Sequence, residues 1–187
     1  IGVKKIDSNA FKKFENIVSV ILPDTINELE PATFKDCTNL EYVKMPEKLE
    51  VIPESLFQNC RSLKEVTMPE LYREIGAFAF EGCTSLENVF IPGSVSEVGY
   101  HAFYGCSSLR NLEFASGVES IDVSDWGDLP TLETVITPAS ARLIHLNPFK
   151  SEDSRSIIIN KEKRFKRNNE ITTDYITVAN YSEYGID

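Results

Sequence analysis

Two histidines and a group of aspartates are the residues of this sequence whose types could catalyse a reaction or bind a metal. His101 and His145 lie 44 residues apart, and neither has a partner at the spacing of a zinc site or a catalytic triad. Asp122, Asp125 and Asp128 resemble the start of a calcium loop, but their spacing is not that of an EF-hand. We therefore predict that His101 is a surface residue and that the aspartates cap a loop.

Catalytic and cofactor-binding motifs are absent from the sequence. It contains no phosphate-binding P-loop, nucleophile elbow, zinc-protease helix or dinucleotide fingerprint. The formal net charge of −10 would repel nucleic acids and anionic membranes. No apolar run approaches the roughly 20 residues of a membrane span. These observations predict a chain that is not an enzyme, uses no cofactor or metal, and binds no nucleic acid.

The elements that position the remaining side chains follow an internal repeat of 23 residues. Aromatic residues recur at this spacing without a slip: Phe11, Phe34, Phe57, Phe80, Phe103, Trp126 and Phe149. A second apolar column contains Val20, Val43, Val66, Val89, Leu112, Val135 and Ile158. A column that stays apolar in successive units is packed in a shared core, because one unit alone cannot bury its apolar face.

Each repeating unit combines a strand with a turn. In residues 86–92 the apolar Val89 and Ile91 alternate with Asn88 and Phe90, which predicts a strand with one buried face. The proline that follows has no amide hydrogen and ends the strand. Units of this kind predict a single curved, right-handed solenoid with one parallel strand per unit, few regular helices and one continuous sheet.

The unit resembles that of the BspA-like leucine-rich repeat family, which reads L-x-x-V-x-I-P-x-x-V-x-x-I-G-x-x-A-F-x-x-C. Residues 70–106 match this pattern almost throughout. The resemblance implies an α/β-type leucine-rich repeat solenoid in a surface or secreted protein of bacteria or protozoa, with no shared catalytic site. It also implies a role in adhesion, because members of the family are implicated in binding to host matrix proteins and to other cells.

Two segments are predicted from the point at which the period ends. Residues 1–160 form the solenoid of about seven units, and residues 161–187 form a C-terminal cap or the start of a linker. Tyr175–Val178 has the pattern of a short strand that pairs with the last unit, and the basic run Lys161–Arg167 could bind an anion. We expect an extracellular or cell-surface chain whose signal peptide has been removed, because the first residue is Ile.

The outward positions of the strands are the candidate binding surface. Side chains that flank the buried residue of each strand point to the expected concave face of the solenoid. Tyr42, Phe90 and Ile136 are apolar residues at such positions; they could anchor a partner or only cover neighbouring side chains. The predicted protein-binding residues are Tyr42, Lys44, Glu65, Thr67, Asn88, Phe90, Asn111 and Glu113.

The four cysteines give two conflicting signals. Their number, in a chain expected to be exported, favours paired disulfides. Their register favours none, because Cys37, Cys60, Cys83 and Cys106 occupy one core column of successive units. Side chains in such a column leave the backbone in parallel, whereas a disulfide needs converging Cβ atoms. We therefore predict a ladder of four buried, reduced thiols.

Two functions remain open from the sequence. The first is a non-catalytic module that binds a protein ligand at the cell surface, such as host extracellular matrix or another cell-surface protein. The alternative is a structural spacer that displays another domain of a larger surface protein. Of the two, we favour the binding module.

Overall fold

The described part of the chain folds as a stack of repeating units. We number the sequence repeats 1 to 7, for residues 1–23, 24–46, 47–69, 70–92, 93–115, 116–138 and 139–161. The structure is a computed structural model. It describes residues 2–118, 120–122, 129–138, 142–144, 157–161, 165–167, 170–172 and 175–178. These residues contain strands and turns and no helix, in agreement with the prediction of few regular helices.

Each unit ends in a strand, and these strands form the front wall of the stack. They are β2 (Ser19–Ile21), β4 (Tyr42–Lys44), β6 (Glu65–Thr67), β8 (Asn88–Ile91), β10 (Asn111–Phe114), β12 (Thr134–Pro138) and β14 (Ile157–Lys161). Neighbouring strands within a sheet are parallel, and Val43 pairs with Val66 in the register that the repeat requires. The predicted parallel strand of each unit is therefore confirmed.

A second, shorter strand near the start of each unit forms the back wall, which the sequence did not predict. These strands are β1 (Lys5–Ile6), β3 (Glu28–Leu29), β5 (Val51–Ile52), β7 (Glu74–Ile75), β9 (Glu97–Val98), β11 (Ser120–Asp122) and β13 (Arg142–Ile144). Gly76 and Gly99 each donate to the preceding unit, to the carbonyls of Ile52 and Ile75 (both 2.7 Å). Pro53 occupies the same position in unit 3 and has no amide hydrogen, so β5 does not pair with β3.

The C-terminal strands follow the last unit. They are β15 (Phe165–Arg167), β16 (Glu170–Thr172) and β17 (Tyr175–Val178). β15 pairs antiparallel with β16, and β17 pairs antiparallel with β14. This pairing confirms the strand expected at the end of the chain and its contact with the last unit. The boundary between residues 160 and 161 stays a prediction.

The front wall is not the single continuous sheet that we predicted. Strands β2, β4 and β6 form one sheet, and β8, β10, β12, β14 and β17 form another, so β6 and β8, both described in full, do not pair. The core column of Ile26, Leu49 and Val95 carries Tyr72 at the start of unit 4. Tyr72 is fully buried, and its hydroxyl donates to the carbonyl of Pro46 (3.3 Å). We attribute the break to this ring, because Tyr72 is the largest side chain in the column and lies at the start of unit 4, one of the two units whose strands do not pair.

Columns of identical residues fill the interior. Rings of neighbouring units stack with centroid separations of 5.4–5.9 Å at Phe11, Phe34, Phe57, Phe80 and Phe103. All of these rings except that of Phe11 are fully buried. The predicted continuation of the column at Trp126 and Phe149 lies outside the described residues. The described part of the column is therefore one unbroken stack.

Candidate protein-binding surface

The outward side of the front wall, which we call the strand face, carries all eight predicted binding residues. Among their neighbours along the strands, Val43, Val89 and Leu112 are buried in the core, as the alternation requires, and Val66 is half-buried. The exposed members are Lys44, Glu65, Thr67, Asn88, Phe90 and Asn111, and the half-buried members are Tyr42 and Glu113.

A groove of about 930 Å³ lies on the strand face across β6, β8, β10 and β12. Six of the eight predicted residues line it: Glu65, Thr67, Asn88, Phe90, Asn111 and Glu113. Tyr42 and Lys44 lie in unit 2 and do not line the groove. The predicted residues thus share one face, but the structure brings only six of them together.

Several groove residues were not predicted from the sequence. Ile136, for which the sequence predicts an outward position, also lines the groove; the residues that were not predicted are Lys64, Val66, Met68, Ser85, Glu87, Val89 and Ser108. Lys64 and Glu87 come immediately before their strands, where the alternation within a strand gives no information. One sequence pattern could have identified these two residues. It is a column in which the sign of the charge alternates from unit to unit: Glu41, Lys64, Glu87, Arg110 and Glu133.

The groove lies over the break between β6 and β8, a gap that we call the opening. In later units the first residue of the strand donates to the unit before it, Asn111 to Glu87 (3.2 Å) and Thr134 to Arg110 (2.9 Å). Asn88 occupies the same position in unit 4 and makes no such bond within the described part of the chain. The floor of the groove therefore contains backbone polar groups without a strand partner.

The ion pairs between neighbouring units in the column that contains Glu87 do not include this carboxylate of the groove. Lys64 pairs with Glu41 (2.8 Å), and Arg110 pairs with Glu133. Glu87 stands between these two pairs in the same column, and none of the ion pairs among the described residues includes it. Because the opening separates Glu87 from Lys64, the repeat of opposite charges is interrupted there. The groove therefore carries a negative charge that no described side chain neutralises.

Apolar and amide groups complete the groove. The ring of Phe90 is 46% exposed, and Ile136 is half-buried two units further along the same column. The side-chain amide of Asn111 donates to the side-chain carbonyl of Asn88 (2.7 Å), which fixes both groups. A central aromatic side chain with polar neighbours is the arrangement found at the middle of protein interfaces.

Comparison with known proteins establishes the family. The sequence matches the profile of the BspA type leucine-rich repeat region in six copies, over residues 1–94 and 50–170. The chain belongs to the BspA-type leucine-rich repeat family. A leucine-rich repeat protein of T. pallidum has a similar solved structure, with 26% sequence identity and a TM-score of 0.66. The match covers 83% of this BspA-type chain and 72% of that protein.

Two more distant structures share the fold of this BspA-type chain. A leucine-rich repeat protein of Bacteroides ovatus is 20% identical with a TM-score of 0.55, and the match covers 75% of this chain. The pneumococcal vaccine antigen PcpA is 16% identical with a TM-score of 0.54, and the match covers 77% of this chain. The chain spans 55% of the B. ovatus protein and 49% of PcpA. The search of curated proteins gave no match.

His101 of this BspA-type chain takes part in a stack of aromatic rings. Its ring lies parallel to those of Tyr100 (3.8 Å between centroids) and Tyr104 (4.8 Å), and Phe78 meets it edge-on (6.0 Å). Tyr100 and Tyr104 are exposed, and His101 is half-buried, so the cluster lies at the surface. The predicted surface location is confirmed, and the ring of His101 packs against three aromatic neighbours.

The aspartates considered as calcium ligands fall largely outside the described residues. Asp122 ends β11, whereas Asp125, Asp128 and His145 lie outside the described ranges. Among the residues that are described, no group of histidine, cysteine, aspartate or glutamate could hold a metal ion. A search of the same residues found no helix long and apolar enough to span a membrane.

The four cysteines of this BspA-type chain are free and buried, as predicted. Each thiol donates to the carbonyl of a stacked phenylalanine in the preceding unit, at 3.0–3.2 Å. Burial raises the pKa of all four thiols, and it raises the pKa of Cys106 to about 12. These thiols are core donors and, being protonated and inaccessible, are poor nucleophiles.

Proposed function

We propose that this chain is a non-catalytic binding module of a bacterial cell-surface or secreted protein, and that a protein ligand docks in the groove of the strand face. The observation that carries the proposal is Phe90, a 46% exposed aromatic ring on a regular sheet, surrounded by the polar residues of the groove. Aromatic side chains lose little conformational entropy on binding and are enriched among interface hot spots.

The partner class that we propose is a host extracellular-matrix protein or another cell-surface protein. Membership of the BspA-type family supports this choice, because the family resemblance implies surface location and adhesion. The stacked core supports it physically, since units packed on both sides hold the strand face in one shape and reduce the ordering cost of binding. The alternative function is a structural spacer that displays another domain, for which the groove would be incidental.

The test is binding of the purified chain to a panel of extracellular-matrix proteins, with Phe90→Ser as the variant. We expect Phe90→Ser to weaken binding at least about tenfold, the loss typical of a hot-spot residue, and to leave the melting temperature nearly unchanged. Ile21→Ser is the matched control: Ile21 occupies the same column in unit 1, is 69% exposed, and does not line the groove. It should bind as the wild type does.

The two functions give different results in this experiment. A spacer would bind none of the matrix proteins. Equal binding by the wild type and by Phe90→Ser would instead show that the ligand does not dock in the groove. The double variant Tyr42→Ser/Phe90→Ser extends the test to unit 2, and it should abolish binding if both residues anchor the partner. A large loss of stability in that variant would instead identify Tyr42 and Phe90 as packing residues and contradict the proposed site.

A further inference from the structure

The opening between β6 and β8 exposes backbone acceptors to the groove. In the pairing of β8 with β10, Asn111 donates to the carbonyl of Glu87 (3.2 Å). Because carbonyls alternate in direction along a strand, those of Asn88 and Phe90 point the other way, toward β6. β6 and β8 do not pair, and the structure describes both, so these two carbonyls have no strand partner. A hydrogen-bond donor that enters the groove can therefore bind these two carbonyls. At the described junctions where neighbouring front-wall strands pair, the equivalent carbonyls accept from the preceding strand.

Carboxylates flank the same opening on both sides. Glu65 belongs to β6, Glu87 immediately precedes β8, and both side chains are exposed and line the groove. The basic neighbours of Glu87 in its column, Lys64 and Arg110, form ion pairs directed away from it. The groove thus presents charged and neutral acceptors together and needs a partner that brings donors with a positive charge.

The exposed ring of Phe90 adds a third requirement for the ligand. It lines the groove beside the carboxylates and offers a flat apolar face to whatever enters. A cation that stacks on an aromatic ring gains attraction from the electrons of the ring. A planar cation can stack its face on the ring while the N–H groups at its edge donate to the carboxylates and carbonyls of the groove.

We propose that the opening binds an arginine side chain of the partner protein, an inference that rests on the proposed function of the groove. A guanidinium has five N–H donors in one plane, which match carboxylate and carbonyl acceptors, and its face stacks on an aromatic ring. Lysine supplies the charge without the planar fork. An acidic segment is disfavoured by the net charge of −10.

The test uses three small probes in an NMR titration of the full chain: the N-acetyl amides of arginine, lysine and citrulline. Citrulline keeps the planar shape of arginine and lacks the charge. The arginine probe should shift the amide signals of Glu87, Asn88 and Phe90, and it should bind about tenfold more tightly than the citrulline probe and about threefold more tightly than the lysine probe. Equal shifts with arginine and citrulline, or shifts centred elsewhere on the chain, would overturn the proposal.

Variants assign the binding to named groups. Glu87→Gln should weaken the arginine probe about threefold, as for an exposed ion pair, and Glu65→Gln/Glu87→Gln should weaken it about tenfold. Glu47→Gln is the matched control, because Glu47 is exposed and does not line the groove. An unchanged affinity in the double variant, with a wild-type spectrum elsewhere, would show that these carboxylates do not hold the probe.

Failure of this inference can be told apart from failure of the proposed function. If Phe90→Ser loses the matrix protein but the arginine probe binds no better than citrulline, the groove binds protein without recognising arginine. If the wild-type chain binds none of the matrix proteins, the proposed function fails, whatever the probes show. Loss of both the protein and the arginine probe in the double glutamate variant is the result that we expect.

Discussion

The core columns and the front wall follow the same 23-residue repeat, yet they behave differently at the junction of units 3 and 4. The rings of Phe57 and Phe80 face each other across this junction at 5.6 Å, within the range of the rest of the stack. At the same junction β6 and β8 do not pair. The units therefore remain packed through the core while they separate at the front, so the opening is local.

The difference between the two regions reflects the distance dependence of the forces that join them. Contacts between aromatic rings tolerate centroid separations of roughly 4.5–7 Å, whereas an N–H···O hydrogen bond is satisfied only near about 2.9 Å. A bulky core side chain such as the buried Tyr72 therefore breaks the hydrogen bonds between two strands before it disturbs the stack of phenylalanine rings behind them. The comparison shows that a repeat can place a binding feature in one unit and keep the common core.

The largest expected effect concerns the core. Phe80→Ala should lower the free energy of unfolding by about 3–5 kcal/mol, because Phe80 is fully buried between two stacked neighbours and its removal leaves a cavity. Phe11→Ala should cost only about 1–2 kcal/mol, since Phe11 is half-buried and stacks on one column neighbour, Phe34, in the described structure. Urea denaturation of both variants measures the difference.

Equal losses in the two variants would contradict a stack in which each unit is stabilised by its neighbours. A change in the denaturant slope would indicate that the variant unfolds in separate parts, which would also call for a different account of the opening. Phe78→Ala is a useful control, because Phe78 is half-buried at the surface and belongs to the ring cluster around His101. Its cost should lie well below that of Phe80→Ala.

Most of the fold could be predicted because the core columns repeat without a slip. Each column position fixes which residues are buried, and alternation then places residues such as Asn88 and Phe90 outward. The opening could not be predicted, because the side chain to which we attribute it, Tyr72, lies in a column that accepts any apolar residue. The groove residues Lys64 and Glu87 were missed for a related reason: they precede their strands and are brought to the groove by three-dimensional stacking.

The second expected effect concerns backbone protection on the two sides of β8. The amide of Asn88 has no acceptor in unit 3 within the described structure, whereas that of Asn111, at the same position one unit later, donates to Glu87 (3.2 Å). We expect Asn88 to exchange its amide hydrogen about thirtyfold faster than Asn111, equivalent to about 2 kcal/mol. Native-state hydrogen exchange followed by NMR makes the comparison, after correction for intrinsic rates.

A substitution of Tyr72 tests the cause of the opening by the same hydrogen-exchange measurement. Tyr72→Leu replaces the ring with the residue that the repeat places at Leu49, and it also removes the hydroxyl bond to Pro46. If the ring holds the units apart, β6 and β8 should pair in this variant and the amide of Asn88 should become protected. Unchanged exchange in a folded Tyr72→Leu protein would show that the opening has another cause.

The smallest expected effect concerns the thiol ladder and its dependence on pH. Burial raises the pKa of Cys83 well above its ordinary value of 9.0, so the folded thiol keeps its proton when the unfolded thiol has lost it. The unfolded state then binds fewer protons than the folded state, and stability falls as pH rises above about 9, by up to about 1.4 kcal/mol per pH unit for each such thiol. Stability is unaffected by this group at lower pH, where both states are protonated.

The variant Cys83→Ala isolates this contribution, because the tyrosines and lysines that titrate in the same range are common to both proteins. Between pH 9.5 and 10.5, with a reductant present, the wild-type free energy of unfolding should fall more steeply than that of the variant by about 1.4 kcal/mol per pH unit. Parallel curves would mean that the thiol ionises equally in both states and is not buried. Freshly purified protein denatured without reductant should also give four reactive thiols, one for each free cysteine. A smaller number would reveal disulfides. Disulfides would also remove the titrating thiols on which the expected slope depends.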